Sequence, residues 1–481
     1  MKQNPILIPE ISHILCSFVD TKDLLNLALT CRALYHTSCF GLWNTLSPKS
    51  HRILRKIKNT LDHTTVYNKY VWKFCLSSKQ DIHHLERFFF DNFLFPNLRE
   101  LKFSNAAAQD HILYPMIASA QKSLCSLNLS KCYCLSTAVI KPLLTMPPHQ
   151  LESLVLYGCG KMDSQVLVEI IHRHCLTLKR LRLTDVNDAI MDAIQNCKKL
   201  TDLGLEHCSD TTLSDASLTR FFTSLSKNQV QLTHIRLRDI DSLTCQHLRI
   251  IAKSPNRASL VHIDMSECNR MNSEGISWLA TECINLRTLL LAYQEGHVDV
   301  SGCRLLTDHA FFPLLDAIDD NLRNITLETL NVSGLDLLSP SLIHQLLFKI
   351  SSLQELCLGV TYDLDEADHI LHSINHNDNQ HRYYIDTDKF YTICKLPFNK
   401  TPPISSGKKR FTPLYLHPQH RLLDDMDDED TEHTTLPSPS TWNIPLVVAR
   451  NGQKFNQIRS SIRRCVLHTH FRAVYMYEIN K

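Results

Sequence analysis

Between residues 98 and 358 one phrase recurs along the chain: an apolar residue, two variable positions, an apolar residue, one variable position, and an apolar residue. It reads Leu98/Leu101/Phe103, Leu124/Leu127/Leu129, Leu151/Leu154/Leu156, Leu178/Leu181/Leu183 and Leu200/Leu203/Leu205. It continues as Leu232/Ile235/Leu237, Leu260/Ile263/Met265, Leu286/Leu289/Leu291, Leu327/Leu330/Val332 and Leu353/Leu356/Leu358. The fourth and sixth positions are two apart, so they share one face of a strand, and that face is the core. The third, fifth and seventh positions face outward. A turn and a helix should follow each strand. Thr307 or Asp308 is placed to cap a helix that carries Phe311, Leu314 and Leu315 inward; Met162-Asp163-Ser164 and Met271-Asn272-Ser273 play the same part. One such unit cannot bury its apolar face alone, so the units must stack, with their strands on the concave side.

The intervals between first residues are 26, 27, 27, 22, 32, 28, 26, 41 and 26. That period resembles the leucine-rich repeat, whose units run ~20–29 residues. The cysteines follow the same period. Cys132, Cys159, Cys208 and Cys268 each lie eight residues after the first leucine of their phrase, and Cys175, Cys197 and Cys283 each close a helix before the next strand. This double placement resembles the cysteine-containing subclass of leucine-rich repeats, best seen in Cys303-Arg304-Leu305-Leu306-Thr307-Asp308. The resemblance implies an α/β fold: a right-handed β-α superhelix with a parallel sheet on its concave face. Small, weakly polar Cys suits the tight turn after a strand. The competing reading, zinc, has little to stand on. Cys132-Tyr133-Cys134 is too close for an ordinary pair, and His172 and His174 beside Cys175 lack a second pair. No metal or cofactor is expected.

Residues 5–46 do not carry the phrase. They run Pro5-Ile6-Leu7-Ile8-Pro9-Glu10-Ile11, then Ile14-Leu15-Cys16-Ser17-Phe18-Val19-Asp20, then Lys22-Asp23-Leu24-Leu25 to Leu29-Thr30-Cys31-Arg32, and end in Gly41-Leu42-Trp43. Three short amphipathic helices are expected, with Asp20 capping the one that bears Leu24, Leu25 and Leu29. The order resembles the F-box, a family that opens on Leu-Pro-x-Glu-Ile, passes through an acidic turn and a Cys-Arg stretch, and closes on Leu-Trp. Ile8, Cys16, Thr21 and Leu34 depart from its usual Pro, Phe, Pro and Trp. The resemblance covers about forty residues. It implies a Skp-family adaptor as partner and, through that adaptor, a cullin. The residues it puts forward as adaptor contacts are Leu7, Pro9, Ile11, Leu15, Leu24, Leu25, Leu29, Leu42 and Trp43; which of them instead hold the module together is left open. A helical cap shielding the first repeat is the other reading of this segment.

A protein partner would meet the outward strand positions. Arg180, Arg182, His234, Arg236, Arg238 and Asp264 lie there; Tyr157 is an outward aromatic, and Tyr293 lies just past its strand. Arginines in such a row suit bidentate capture of carboxylate or phosphate, so a phosphorylated degradation signal is one candidate substrate. A solvated face whose charges partly cancel is the alternative. The long interval after Leu286 leaves Gln294-Glu295-Gly296-His297 as a candidate projecting loop.

The division that follows is an F-box-like module over 1–48, joining helices over 49–97, the repeats over 98–378 and a C-terminal region over 379–481. Residues 401–440 should be disordered, with six acids between Asp424 and Asp430; 444–449 and 465–477 read as strands, and 365–374 as a closing helix. A formal charge of +2 calls for neither nucleic acid nor an anionic membrane. The N-terminus shows no signal-like segment, and no apolar run nears the ~20 residues a spanning helix needs. A cytoplasmic or nuclear site and reduced cysteines are therefore expected. No hydrolase, phosphate-loop or metalloprotease motif is present. These readings together point to a non-catalytic substrate receptor of an SCF (Skp–cullin–F-box) ubiquitin ligase, promoting proteasomal degradation. A repeat scaffold with a helical cap and no ligase is the alternative.

Overall fold

The computed structural model describes residues 14–397 except 15, 17, 31, 78–92, 105–107, 161, 229, 269, 292–305, 320–324, 336, 359–380 and 387–391. All of these belong to one compact unit. Each of the ten apolar phrases contributes a strand. In chain order the strands are β1 (Thr45–Leu46), β2 (Lys73–Ser77), β3 (Glu100–Ser104), β4 (Ser126–Asn128), β5 (Ser153–Val155), β6 (Arg180–Thr184) and β7 (Asp202–Cys208). Then come β8 (His234–Ile240), β9 (His262–Asp264), β10 (Thr288–Leu290), β11 (Thr329–Asn331), β12 (Glu355–Cys357), β13 (His381–Asp386) and β14 (Thr392–Pro397).

These strands form one sheet in the order β1 to β12, then β14, then β13. Pairing is parallel from β1 to β12. The register aligns the fourth positions of the phrase: Leu127 with Leu154, Leu181 with Leu203, Leu289 with Leu330. Those side chains are fully buried, and helices or 3-10 turns between the strands cover them, with Leu113, Ile170, Ile190, Leu248 and Ile343 pointing in. The result is a mixed α/β solenoid of leucine-rich-repeat kind.

A second periodic feature is conformational. Seven residues after the first apolar residue of a phrase, the backbone turns left-handed: Lys131, Gly158, Asp185, His207, Asp239, Glu267 and Gly334 have φ between 52° and 79°. The next residue is buried: Cys132, Val186, Cys208, Ile240, Cys268 and Leu335. At Cys132, Cys159 and Cys268 the thiol crosses to a carbonyl of the preceding repeat, while that of Cys208 donates to Glu206 O of its own repeat. Cys159 Sγ donates to Leu129 O at 3.0 Å and Cys268 Sγ to Leu237 O at 2.9 Å. Burial pushes the thiols of Cys159 and Cys208 up to about 12, so they are neutral packing groups.

Side chains cap their own helices or 3-10 turns at Ser136, Asp163, Asn187, Asn272 and Ser339, and aspartates one position further on tie neighbouring repeats together. Asp163 caps the helix Ser164–His174, accepting from Gln165 N and Val166 N. Asp308 instead reaches the next repeat, where Ser339 N and Oγ donate to it at 2.8 and 2.6 Å. Asp188 accepts likewise from Ser214, at 2.8 Å twice. Thr307 makes no side-chain cap bond, but its amide donates to Ser273 Oγ at 3.0 Å. Phe311, Leu314 and Leu315 are buried as expected.

Residues 49–97 contain more than joining helices. A helix, α3 (His51–His63), and a 3-10 turn (Val66–Tyr70) lead into β2, a full member of the sheet. Its sequence, Lys73-Phe74-Cys75-Leu76-Ser77, alternates as a strand should, and with the buried Val71 it completes a further copy of the phrase, Val71/Phe74/Leu76, in which Val replaces the leading leucine. At the other end β14 pairs antiparallel with β12 and with β13. This hairpin carries no leucine phrase. The expected closing helix at 365–374, the projecting loop at 294–297 and the tail strands lie outside the described residues.

Two stability predictions follow from these contacts. Lys131 carries a Cβ in the left-handed region, φ 60°, where glycine is at ease; Lys131→Gly should stabilise the protein by up to about 1 kcal/mol in urea unfolding, since the left-handed cost exceeds the added chain entropy. His174 is fully buried, Nδ1 accepts the amides of Gln150 and Leu151 at 3.3 Å each, and burial lowers its pKa to about 4 from an ordinary 6.5. Between those values the unfolded chain binds the proton that the folded chain refuses. Stability is therefore complete above about pH 6.5 and falls as pH drops toward 4, by ~2 kcal/mol between pH 6.5 and 5 for this group. In His174→Gln, whose amide oxygen can accept the same bonds, urea unfolding should show a shallower loss over that interval.

Candidate functional site: the helical module and the strand face

The N-terminal module consists of α1 (Thr21–Thr30) and α2 (Arg32–Trp43). Asp20 precedes α1 and its carbonyl accepts from Asp23 N and Leu24 N. Leu24 is buried and packs on Gly41 of α2, where a Cβ would come within 3.1 Å of Leu24 Cδ1. Leu25 and Leu29 lie one turn apart on the other side of α1, 56% and 79% exposed. Phe18, just before the helix, is 82% exposed. Amphipathic patterning assigns such a residue to the core, and only its placement shows it outside. Leu42 and Trp43 are half-buried at the other end of the module, with Trp43 stacked flat on Tyr67 at 4.7 Å. Leu7, Pro9, Ile11, Leu15 and Tyr293 lie outside the described residues.

The module is joined to the sheet by backbone as well as packing. Asn44, directly after α2, accepts from Trp72 N and Lys73 N at 2.9 and 2.8 Å. The same two-amide pattern then repeats down the sheet: Trp72 O takes Arg99 and Glu100, Arg99 O takes Cys125 and Ser126, and so on to Glu328 O with Gln354 and Glu355. Phe40 meets Trp72 edge-on at 4.6 Å, and the Arg99 guanidinium lies over the Trp72 ring at 4.0 Å.

On the strand face the register brings six of the eight expected residues together, around Asp202 of the intervening repeat. Arg180, Asp202, His234 and His262 form one row; Arg182, Gly204, Arg236 and Asp264 form the next. Asp202, 8% exposed at its side chain, accepts from Arg180 Nε at 2.9 Å, Arg182 Nε and Nη2 at 3.1 and 2.7 Å, and Arg236 Nη1 at 3.3 Å. Burial would push its carboxyl up, but the Arg182 bond and the three guanidinium charges hold it below the ordinary value. Gly204 makes this possible, because a Cβ there would stand 2.8 Å from Arg182 Cγ. The repeat phrase aligns these outward positions, Arg180, Asp202 and His234 as third positions and Arg182, Gly204 and Arg236 as fifth, but it does not say that Asp202 takes all three guanidiniums.

Arg238 has different company. Its Nη2 donates to Glu267 Oε1 at 3.0 Å, Asp264 lies 3.9 Å from Nε, and Glu206 is beside it. Burial lowers its proton affinity, but the three carboxylates outweigh this and raise it. Glu206 is itself raised by burial and by Asp264, and bonds to Tyr157. Asp264 accepts from Ser266 N and Oγ at 3.2 and 2.7 Å. The expected row of arginines thus divides into three guanidiniums around Asp202 and one, Arg238, among three carboxylates, so that four arginines face four carboxylates across the two adjoining groups. Among the described residues no cluster of three or more His, Cys, Asp or Glu is placed to hold a metal ion, and no helix is long and apolar enough to cross a membrane.

Asp202→Asn should leave three guanidiniums crowded without their counter-ion. Since the arginines remain partly solvated, the expected loss is about 2–3 kcal/mol of unfolding free energy. Adding Arg182→Met should recover part of it. Equal stability of Asp202→Asn and the parent in urea would show that Asp202 does not organise the group.

No protein-family model matches the sequence, and no curated protein matches it. Among solved structures the chain is similar to the yeast Rad7 and Elc1 complex, with a TM-score of 0.49 and 16% identity over 76% of this chain and 85% of that one. The solenoid described above rests on its own strands, register and buried leucines.

Proposed function

We propose that this chain is the substrate-recognition subunit of a Skp–cullin–F-box ubiquitin ligase. In this reading the helical module takes a Skp-family adaptor, the strand face takes the protein to be ubiquitinated, and the chain itself performs no covalent step. The observation that carries the reading is the division of labour within the module. Leu24 and Cys16 are buried and hold it, whereas Phe18, Leu25 and Leu29 are exposed. Large apolar side chains clustered at the surface of so small a module mark a protein contact. Each is worth roughly 1.5–3 kcal/mol when buried against a partner. The order Asp20, Asp23, Leu24, Leu25 to Cys31-Arg32 and Leu42-Trp43, which resembles the F-box, supplies the kind of partner. The ladder that starts at Asn44 supports the arrangement, since it sets the module and the strand face in one hydrogen-bonded frame.

Purified full-length chain should capture a Skp-family adaptor. Leu25→Asp with Leu29→Asp should weaken that capture by more than about a hundredfold, two buried leucines' worth, with the melting temperature unchanged. Leu24→Asp should instead lower the melting temperature. If the parent chain fails to bind the adaptor where an established F-box protein does, the proposal is wrong.

A further inference from the structure

The first repeat, from β1 through α3 to β2, is strongly basic. Residues 45–77 hold seven Lys or Arg and a single acid, Asp62, so the formal charge of +2 for the whole chain conceals a local excess. Asp62 is taken by Lys58 one turn before it, Lys73 pairs with Glu100 of the next repeat at 2.7 Å, and Lys69 lies over the Tyr70 ring. Lys49, Arg52, Arg55 and Lys56 are exposed and, among the described residues, make no ion pair or hydrogen bond. Several later helices draw a carboxylate from a neighbouring repeat for such residues: Arg220 takes Asp192, Arg257 takes Glu282 and Lys349 takes Asp319. α3 turns one face inward, with Leu54 and Leu61 buried. Arg52, Arg55, Lys56, Asn59 and His63 fall on one stripe of the opposite side, and all five are exposed. The stripe runs ~16 Å along the helix axis. The first turn holds no acid, and cations there oppose the helix dipole. The charge thus works against the helix that carries it, and neither packing nor capping accounts for it.

We propose that this stripe binds the phosphate backbone of a nucleic-acid duplex, with Lys49, Arg52, Arg55 and Lys56 as the phosphate contacts. The chemistry of the stripe selects the class. Guanidinium and ammonium groups about a helical turn apart meet phosphates without reading bases. A membrane needs apolar side chains on the same face to enter the headgroup layer, and Leu54 and Leu61 are turned to the core. Ile53, 44% exposed, stands to one side, about a quarter-turn from Arg52. A folded protein partner needs an apolar or aromatic anchor inside the charged rim, and the stripe holds none. A single strand gains from aromatic rings on which its bases stack, and none lies between these cations. A duplex asks only for spaced positive charge on a fixed support. α3 is such a support: Leu54 and Leu61 hold it in the core, and Ser50 caps it by accepting from Ile53 N at 3.4 Å. The proposal goes beyond the ligase reading. It uses neither α1 nor the strand face, and different variants test it.

The test is fluorescence anisotropy of short labelled duplexes of mixed sequence, one DNA and one RNA, titrated with the full-length chain. Affinity should be indifferent to base sequence and should fall by about a hundredfold between ~50 and ~200 mM salt, a log–log slope of about −4 for four cations. Binding of either duplex supports the proposal, and the tighter of the two names the source of the backbone. Arg55→Gln with Lys56→Gln, both at exposed positions, should weaken binding by about a hundredfold at low salt and halve the slope, with the melting temperature no lower than the parent's. Arg249→Gln, which removes a cation lying over Trp278, should bind as the parent does. So should Leu25→Asp with Leu29→Asp, which keeps the failure of the adaptor reading distinct from the failure of this one. Absence of binding to both duplexes at low salt overturns the proposal. Unchanged affinity and slope in the Arg55→Gln, Lys56→Gln chain does so too. Tighter binding to phosphatidylserine–phosphatidylcholine vesicles, to poly-glutamate or to a single-stranded oligonucleotide than to either duplex also overturns it, and makes the partner a membrane, an acidic protein or a single strand.

Discussion

A repeat of this kind has one apolar face and no means of covering it alone, so everything else depends on neighbouring repeats lying in register. Two sets of interactions enforce that register. Leucines at the fourth position of each phrase stack from strand to strand, fully buried. One carbonyl per repeat accepts two amides from the next, from Asn44 through Glu328. A slip of one residue would turn the leucines to solvent and the outward charges into the core. That penalty holds Arg180 beside Asp202 beside His234, although the chain separates them by tens of residues.

The same stacking explains the cysteines and the polar caps. A thiol just after a left-handed turn reaches the preceding repeat's carbonyl, and aspartates at helix starts reach serines of the following repeat. These polar groups satisfy backbone atoms that the turns would otherwise bury unpaired. They are also why the thiols are poor nucleophiles: the burial that makes them useful as packing groups keeps them protonated. Recognition falls to the outward strand positions, where charge is not needed for packing and can serve a partner.

Charge on that face is unevenly compensated, and compensation is a property of neighbours. Arg238 and Arg236 are two residues apart on one strand and face the same way, yet the carboxylates around Arg238 outweigh its burial, whereas at Arg236 burial and the neighbouring Arg182 outweigh Asp202, Asp264 and Glu206. The exposed leucines of α1 make a parallel case. Leu24 and Leu25 are adjacent and chemically identical, but one packs against Gly41 and the other meets solvent. In both places function is assigned by what lies opposite.

The sequence by itself determined the solenoid. Ten apolar phrases, their period, and cysteines at a constant offset are local, repeated signals, and repetition makes each copy corroborate the others. It also delimited the helical module and the row of outward arginines. It left β2 unread because Val71 stands there in place of the leading leucine, although Val71/Phe74/Leu76 keeps the phrase and the period, and it was silent on the β13–β14 hairpin, which pairs antiparallel and carries no phrase. Only the tertiary structure decided that Asp202 gathers three arginines over Gly204, that Arg238 stands apart from them, and that Leu25, Leu29 and Phe18 face outward while Leu24 does not. The physical reason is the same each time: register and packing bring distant residues within a few ångströms, and the electrostatic and apolar character of a site is set across that distance, not along the chain.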